Sequence, residues 1–322
     1  MTTFAPIKTQ KCFMANFRQN HKKSSRGEAT GMATKVGLFA VLMGIVYWGF
    51  QKFSGKTPVD APAETVVKED VENVEQTGTD SIFYLPTNPN GEIVQHKYYA
   101  LSYVEKYELP EWCAYELTAE RLNQPWVERA DDFRPDPKVP TESSGLEDYR
   151  RSKYDRGHIV PAADMAFSTE ASSETFFMSN IAPQEPGFNK GVWRELEELT
   201  RDWAKRFKHL YVVTGPVLSQ PIKFWIGENQ VAVAPSFYKV LLDLSEPEVK
   251  AIGFIVPNVT SNERIETFAV SVDEVEQLTG INFFQNLMEP GLEKELEANF
   301  DVSLWKTNEK KFQRRVQEWN FQ

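Results

Sequence analysis

Cysteine is nearly absent from this chain. The 322 residues contain two, Cys12 and Cys113, together with four histidines. So few thiols exclude a disulfide-built scaffold, and no Cys/His spacing matches a structural zinc site. The two cysteines flank a hydrophobic segment and are not expected to pair. Cys113, in Trp112-Cys113-Ala114-Tyr115, reads as a small buried hydrophobe. Internal repeats are missing, and so is any excess of positive charge. The chain has 36 Lys and Arg against 46 Asp and Glu, a net of −10. Residues 1–35 carry +6, residues 51–80 carry −4, and residues 81–322 hold the remaining −12. Such a balance is unlike the basic surface of most nucleic-acid binders. A polyanionic ligand would therefore need a local positive site working against an unfavourable overall field.

What is present begins with Val36–Phe50, fifteen residues without a charge. Extended to residues 36–53, with flanking lysines able to snorkel, the segment approaches the ~20 residues of a membrane-spanning helix. The expectation is an anchor preceded by a basic cytoplasmic stretch, residues 1–35, and followed by domains outside the cytoplasm. Ala61-Pro62-Ala63 is the one small-residue cleavage site in view, too far beyond the apolar run to favour a signal peptide. Residues 54–80, rich in Pro, Thr and acids, read as a flexible acidic stalk. The lysine-rich head favours a bacterial cell envelope, with the mitochondrial inner membrane as the alternative.

Residues 81–322 have the pattern of one folded domain. Tyr98–Tyr107 and Glu111–Thr118 read as paired strands. The short apolar runs Leu210–Thr214, Val231–Ala234, Phe237–Leu244 and Ala251–Val256 read as further strands. Trp193, Leu196, Thr200, Trp203 and Phe207 recur at three- and four-residue intervals and predict one helix over Asn189–Phe207. Ser271–Thr279 and Leu292–Asn299 read as shorter helices. The class is α+β, with a central antiparallel sheet flanked by helices.

The segment Tyr154–Met165 (YDRGHIVPAADM) gathers an acid, an arginine, a glycine and a histidine. Asp155-Arg156-Gly157-His158 alone is no more than an ion pair at a turn. It is followed by Ser179-Asn180-Ile181-Ala182-Pro183-Gln184, then by Phe188-Asn189 and a helix with Trp193, Leu196 and Glu197. These three motifs, in this order, resemble the DNA/RNA non-specific endonuclease family of ββα-metal nucleases, which has bacterial and mitochondrial members. The resemblance extends over approximately residues 95–285, taking in Leu101-Ser102-Tyr103 and Thr214-Gly215-Pro216.

The resemblance implies a metal-dependent enzyme that hydrolyses DNA and RNA without strong sequence preference and leaves a 5′-phosphate. It makes His158 the general base. Asn189 becomes the direct ligand of one Mg²⁺ (Mn²⁺ as an alternative), which Glu197 reaches through water. Arg156 and Arg129 would face the phosphate, with Arg134 as an alternative to Arg129. Asn180 and Asp155 would shape the site, and a homodimer is implied. Elementary chemistry agrees with these roles. Imidazole suits proton abstraction near neutral pH, and guanidinium matches phosphate with a planar fork. Along one continuous helix, Asn189 and Glu197 would stand about 12 Å apart, too far for both to bind one ion directly. Asn189 is also expected near a helix N-terminus, where backbone N–H groups favour phosphate.

Blander readings apply elsewhere. Trp193, Leu196, Trp203 and Phe207 are expected in the core, Glu195 and Glu198 in solvent, and His96 and His209 at ordinary edge positions. Glu64–Glu75 is stalk. Two other functions share the fold: a non-catalytic nucleic-acid-binding surface module, and a phosphodiesterase acting on small extracytoplasmic diesters.

Overall fold

Strands in the second half of the chain are apolar at consecutive positions, and the structure, a computed structural model, shows why. It describes residues 84–322. The basic head, the 36–53 segment and the stalk lie outside the described residues. Among the described residues, no helix is long and apolar enough to cross a membrane.

The strands are β1 (Glu92–Gln95), β2 (Tyr99–Val104), β3 (Leu109–Thr118), β4 (Asp155–His158), β5 (Ile181–Gln184), β6 (His209–Pro216), β7 (Phe224–Ile226), β8 (Val231–Val233), β9 (Ser236–Asp243), β10 (Lys250–Pro257) and β11 (Ala269–Val270). Seven form one antiparallel sheet in the order β1-β2-β3-β6-β9-β10-β11, while β4–β5 and β7–β8 are separate pairs. The helices are α1 (Ala119–Leu122), α2 (Leu146–Tyr149), α3 (Thr169–Glu174), α4 (Arg194–Phe207), α5 (Val272–Thr279), α6 (Pro290–Ala298) and α7 (Glu309–Gln317).

Successive side chains of a strand point to opposite faces, and here both faces are covered. Tyr115, Val212, Leu241 and Ile252 join a core with Trp193, Leu196, Leu199 and Trp203 at α4. Ala114, Val213, Val240, Leu242 and Ala251 join a second core with Val272 and Val275 of α5. Two-sided burial replaces the polar–apolar alternation of a half-exposed sheet with continuous apolar runs. Fully burying each large side chain contributes roughly 1.5–3 kcal/mol.

The expected sheet and the helices near residues 271–279 and 292–299 are present. Ser271 caps α5, its hydroxyl accepting from Glu274 N at 3.1 Å. The helix expected over Asn189–Phe207 is not continuous. Phe188–Trp193 forms a widened, π-type turn in which Gly191 leaves helical geometry (φ −101°, ψ −107°), and α4 starts at Arg194. Apolar spacing alone does not reveal such a turn, because the periodic positions Trp193, Leu196, Thr200, Trp203 and Phe207 all follow Gly191. A Cβ at Gly191 would meet Asn320 Oδ1 at 2.3 Å. Asn320 of the C-terminal segment thus packs against this turn, and a side chain at Gly191 would have to displace its amide.

Candidate active site

β4 is the Asp155-Arg156-Gly157-His158 motif itself. It pairs antiparallel with β5, setting Asp155 opposite Gln184, Gly157 opposite Ala182 and His158 opposite Ile181. Gly157 is required by close approach: a Cβ there would lie 2.1 Å from Cδ of Gln184, a fully buried side chain. Behind the pair, Asn180 is wholly buried. Its amide nitrogen donates to the carbonyls of Val160 (3.0 Å) and Thr175 (2.8 Å), and its Oδ1 accepts from Val160 N (2.9 Å). The Cys113 thiol donates to the same oxygen at 3.5 Å. Asn180 therefore ties together the backbone of Val160 and Thr175 beneath the histidine strand, and Cys113 is the buried hydrophobe expected.

His158 sits against two phenylalanines. Its ring lies 5.5 Å from that of Phe133 and 4.7 Å, edge-on, from that of Phe176. The same rings carry the arginines: Arg156 stacks on Phe133 at 4.2 Å and Arg129 on Phe176 at 4.8 Å. Arg129 has one ion-pair partner, Asp131 at 3.6 Å. Arg134 is occupied instead, by Asp132 (2.7 Å), by Ser173 and by the face of Phe177. Geometry thus favours Arg129 over Arg134 as the available cation. His158 Nε2 is closed to solvent and has no hydrogen-bond partner. Burial first, then the charges of Arg129 and Arg156, push the imidazole down to about 3. The ring is neutral at physiological pH, the state a base requires.

Arg129, Arg156, Asp155 and Asn189 line one cleft of about 620 Å³. Arg150 and Lys190 add positive charge to it, against the acids Asp131, Glu147 and Asp155. This is the local concentration of cations that the acidic chain needed.

The Asn189 amide nitrogen donates to Asp155 Oδ2 at 3.0 Å, and Lys190 Nζ stands 3.4 Å from that oxygen. The nitrogen being committed, Oδ1 is the atom of Asn189 left to bind a ligand. An amide oxygen beside a carboxylate is a hard donor set, which fits Mg²⁺ or Mn²⁺ and not a thiophilic ion. The expected phosphate-binding N-terminus is corrected. Phe188 N donates to Glu185 Oε2 (2.8 Å) and Asn189 N to Glu185 O (2.9 Å), so both N–H groups are already satisfied.

Glu197 is not in the cleft lining. Its charged neighbours are Lys239, Arg201, Asp164 and Glu198, and burial raises its carboxyl. Lys239 is wholly buried, has no hydrogen-bond partner and lies 5.1 Å from the Trp193 ring. Asp164 accepts from Arg201 and from the Tyr115 hydroxyl, both at 2.7 Å.

Three sequence expectations change. Glu195 is buried and ion-paired with Arg315 at 2.6 Å. His96 is buried between Tyr99 and Phe177, hydrogen-bonded to Asp136 at 2.9 Å. Glu198 is half-buried, 3.1 Å from Arg194. The sequence reading also missed Phe133, Phe176, Arg150, Lys190 and Lys239. Phe133 had a signal, lying four residues from Arg129. Lys239, inside an apolar strand, had none.

This chain belongs to the DNA/RNA non-specific endonuclease family, whose profile matches residues 78–289. Among its relatives is the mitochondrial nuclease EXOG of Danio rerio, 34% identical over 235 residues, covering 68% of this chain and 64% of that protein. The chain thus spans just under two thirds of that relative's length. A protein named simply nuclease, from Nostoc sp., is 34% identical over 227 residues, covering 66% of this chain and 80% of its own. Among solved structures, the EndoG/EndoGI complex, described as revealing the mechanism of EndoG inhibition, superposes with a TM-score of 0.58 at 34% identity. That match covers 63% of this chain and 89% of the other.

Proposed function

We propose that this protein is a metal-dependent endonuclease hydrolysing phosphodiester bonds of DNA and RNA without strong sequence preference. The observation that carries this reading is the neutral His158 set between Arg129 and Arg156 beside the cleft that Asn189 lines. His158 takes the proton of the attacking water. Arg129 and Arg156 hold the non-bridging phosphate oxygens, each guanidinium packed over a phenylalanine ring. Contacts to the phosphate backbone carry no base information, so cleavage is sequence-tolerant. Asp155 orients Asn189, and Asn180 holds the loop after His158. Asn189 would hold Mg²⁺ or Mn²⁺, with Glu197 reaching the ion through water. Bound there, the ion would offset charge on the phosphate and on the leaving oxygen.

The test is Mg²⁺-dependent degradation of plasmid DNA and of RNA by the purified chain, beside His158→Ala and a small diester substrate. Loss of polynucleotide cleavage in the variant is expected. Binding without cleavage would favour a non-catalytic module, and preference for the small diester would favour the other phosphodiesterase.

Residues 36–53 are proposed as a membrane anchor holding the nuclease domain outside the cytoplasm. A relative named as mitochondrial supports the mitochondrial alternative over the bacterial cell envelope. Fractionation of the tagged full chain, with and without residues 36–53, tests this. A homodimer is proposed from the family resemblance, and sedimentation equilibrium of the full chain tests it.

A further inference from the structure

Away from the cleft, Asp273 and Glu276 occupy positions i and i+3 of α5, which place them on one helix face. Glu297 of α6 meets them. One carboxylate oxygen from each of the three lies within 4.8 Å of the others. Asp273 is exposed and Glu276 half-buried, so the group opens to solvent. Glu297 is only 5% exposed, and its Oε1 has no hydrogen-bond partner. A buried, unpartnered carboxylate turned into two others is costly unless something positive sits among them.

No lysine, arginine or histidine among the described residues forms an ion pair with Asp273, Glu276 or Glu297. Glu293 adds a further negative charge close by. Glu276 Oε1 accepts from Phe283 N at 2.8 Å, which fixes that carboxylate and leaves its other oxygen available.

We propose that Asp273, Glu276 and Glu297 form a second divalent-cation site, of the Ca²⁺ class, that fastens α6 to α5. All three donors are hard oxygens, which excludes thiophilic ions. Ca²⁺ accepts several carboxylates in a flexible shell, whereas Mg²⁺ keeps most of its waters and is usually held by one or two, so three converging carboxylates suit the larger ion. α5 packs on the face of the sheet opposite α4 and the Asn189 turn. The ion's role is therefore structural and separate from the cleft.

The experiment measures the full chain after chelator treatment, by thermal melting and by calorimetric titration with CaCl₂. Asn189→Ala serves as a background in which the cleft ion is removed. Ca²⁺ should bind and raise Tm in both the wild type and that background. Glu297→Gln and Asp273→Asn should each weaken Ca²⁺ affinity by at least about tenfold. Glu297→Gln should also melt higher than the wild type in chelator at pH 8, because a neutral amide replaces a repelled carboxylate. No Ca²⁺ response in the wild type, an undiminished response in Glu297→Gln, or a stronger response to Mg²⁺ than to Ca²⁺ would each overturn the proposal.

Discussion

The amide nitrogen of Asn189 donates to Asp155 Oδ2 at 3.0 Å, joining the third motif of the site to the first across 34 residues of sequence. Asp155 thereby sets which atom of Asn189 is left for a ligand. Asp155→Ala is expected to raise the Mg²⁺ concentration needed for half-maximal cleavage and to lower kcat/KM by about 10–100-fold, the usual cost of losing such a supporting partner. Asp155→Asn keeps an acceptor oxygen and should lose less. A Mg²⁺ titration of the cleavage rate for both variants checks this, and equal losses would contradict the orienting role.

Acid should act on this protein through His158 in a particular direction. Its folded-state pKa, about 3, lies below the ordinary 6.5, so between those values the unfolded chain takes up the proton that the folded ring refuses. The contribution to stability is fully present above about pH 6.5 and is lost as pH falls towards 3. Chemical denaturation from pH 7 to pH 4 should show a steeper loss of stability for the wild type than for His158→Asn. The cleavage rate should also show no ionisation of the base near 6.5.

Gly157→Ala drives a methyl group into Gln184, which is fully buried. Overpacking of this kind costs roughly 1–3 kcal/mol. Urea denaturation should show that loss, and Gln184→Ala in the same chain should recover part of it. A double variant no more stable than Gly157→Ala would contradict the packing account.

The Asn189 turn is braced from the C-terminus. Arg315 pairs with buried Glu195, Arg194 stacks on Trp319 at 4.1 Å, and Lys190 Nζ reaches the Gln322 carbonyl at 3.3 Å. Arg315→Ala leaves Glu195 without its partner and is expected to cost about 3–5 kcal/mol by denaturant unfolding. Glu195→Gln together with Arg315→Met should be far milder, because no buried charge is then left alone.

The sheet was legible because two-sided burial writes itself as apolar runs such as Val212–Val213 and Val240–Leu242. The site was legible where a motif was contiguous, as in β4, or where family resemblance linked it to Asn189. The π-type turn was not, since the apolar positions that mark the helix, Trp193 to Phe207, all follow Gly191. Buried charges were also hidden. Glu195, Lys239 and Arg315 look like solvated residues until the elements carrying them are packed, and Arg315 lies 120 residues from its partner. The aromatic support of the arginines depends on Phe133 and Phe176, which meet only in the folded chain, 4.9 Å apart.

The central claim is hydrolysis at the cleft with His158 as base. Its most direct measurement is the cleavage rate of plasmid DNA by the purified chain and by His158→Ala, each with Mg²⁺ and with chelator. The account predicts cleavage only with the ion, and a fall of about 10²–10⁴-fold in the variant, whose circular dichroism should match the wild type. A folded His158→Ala protein cleaving at the wild-type rate would contradict it.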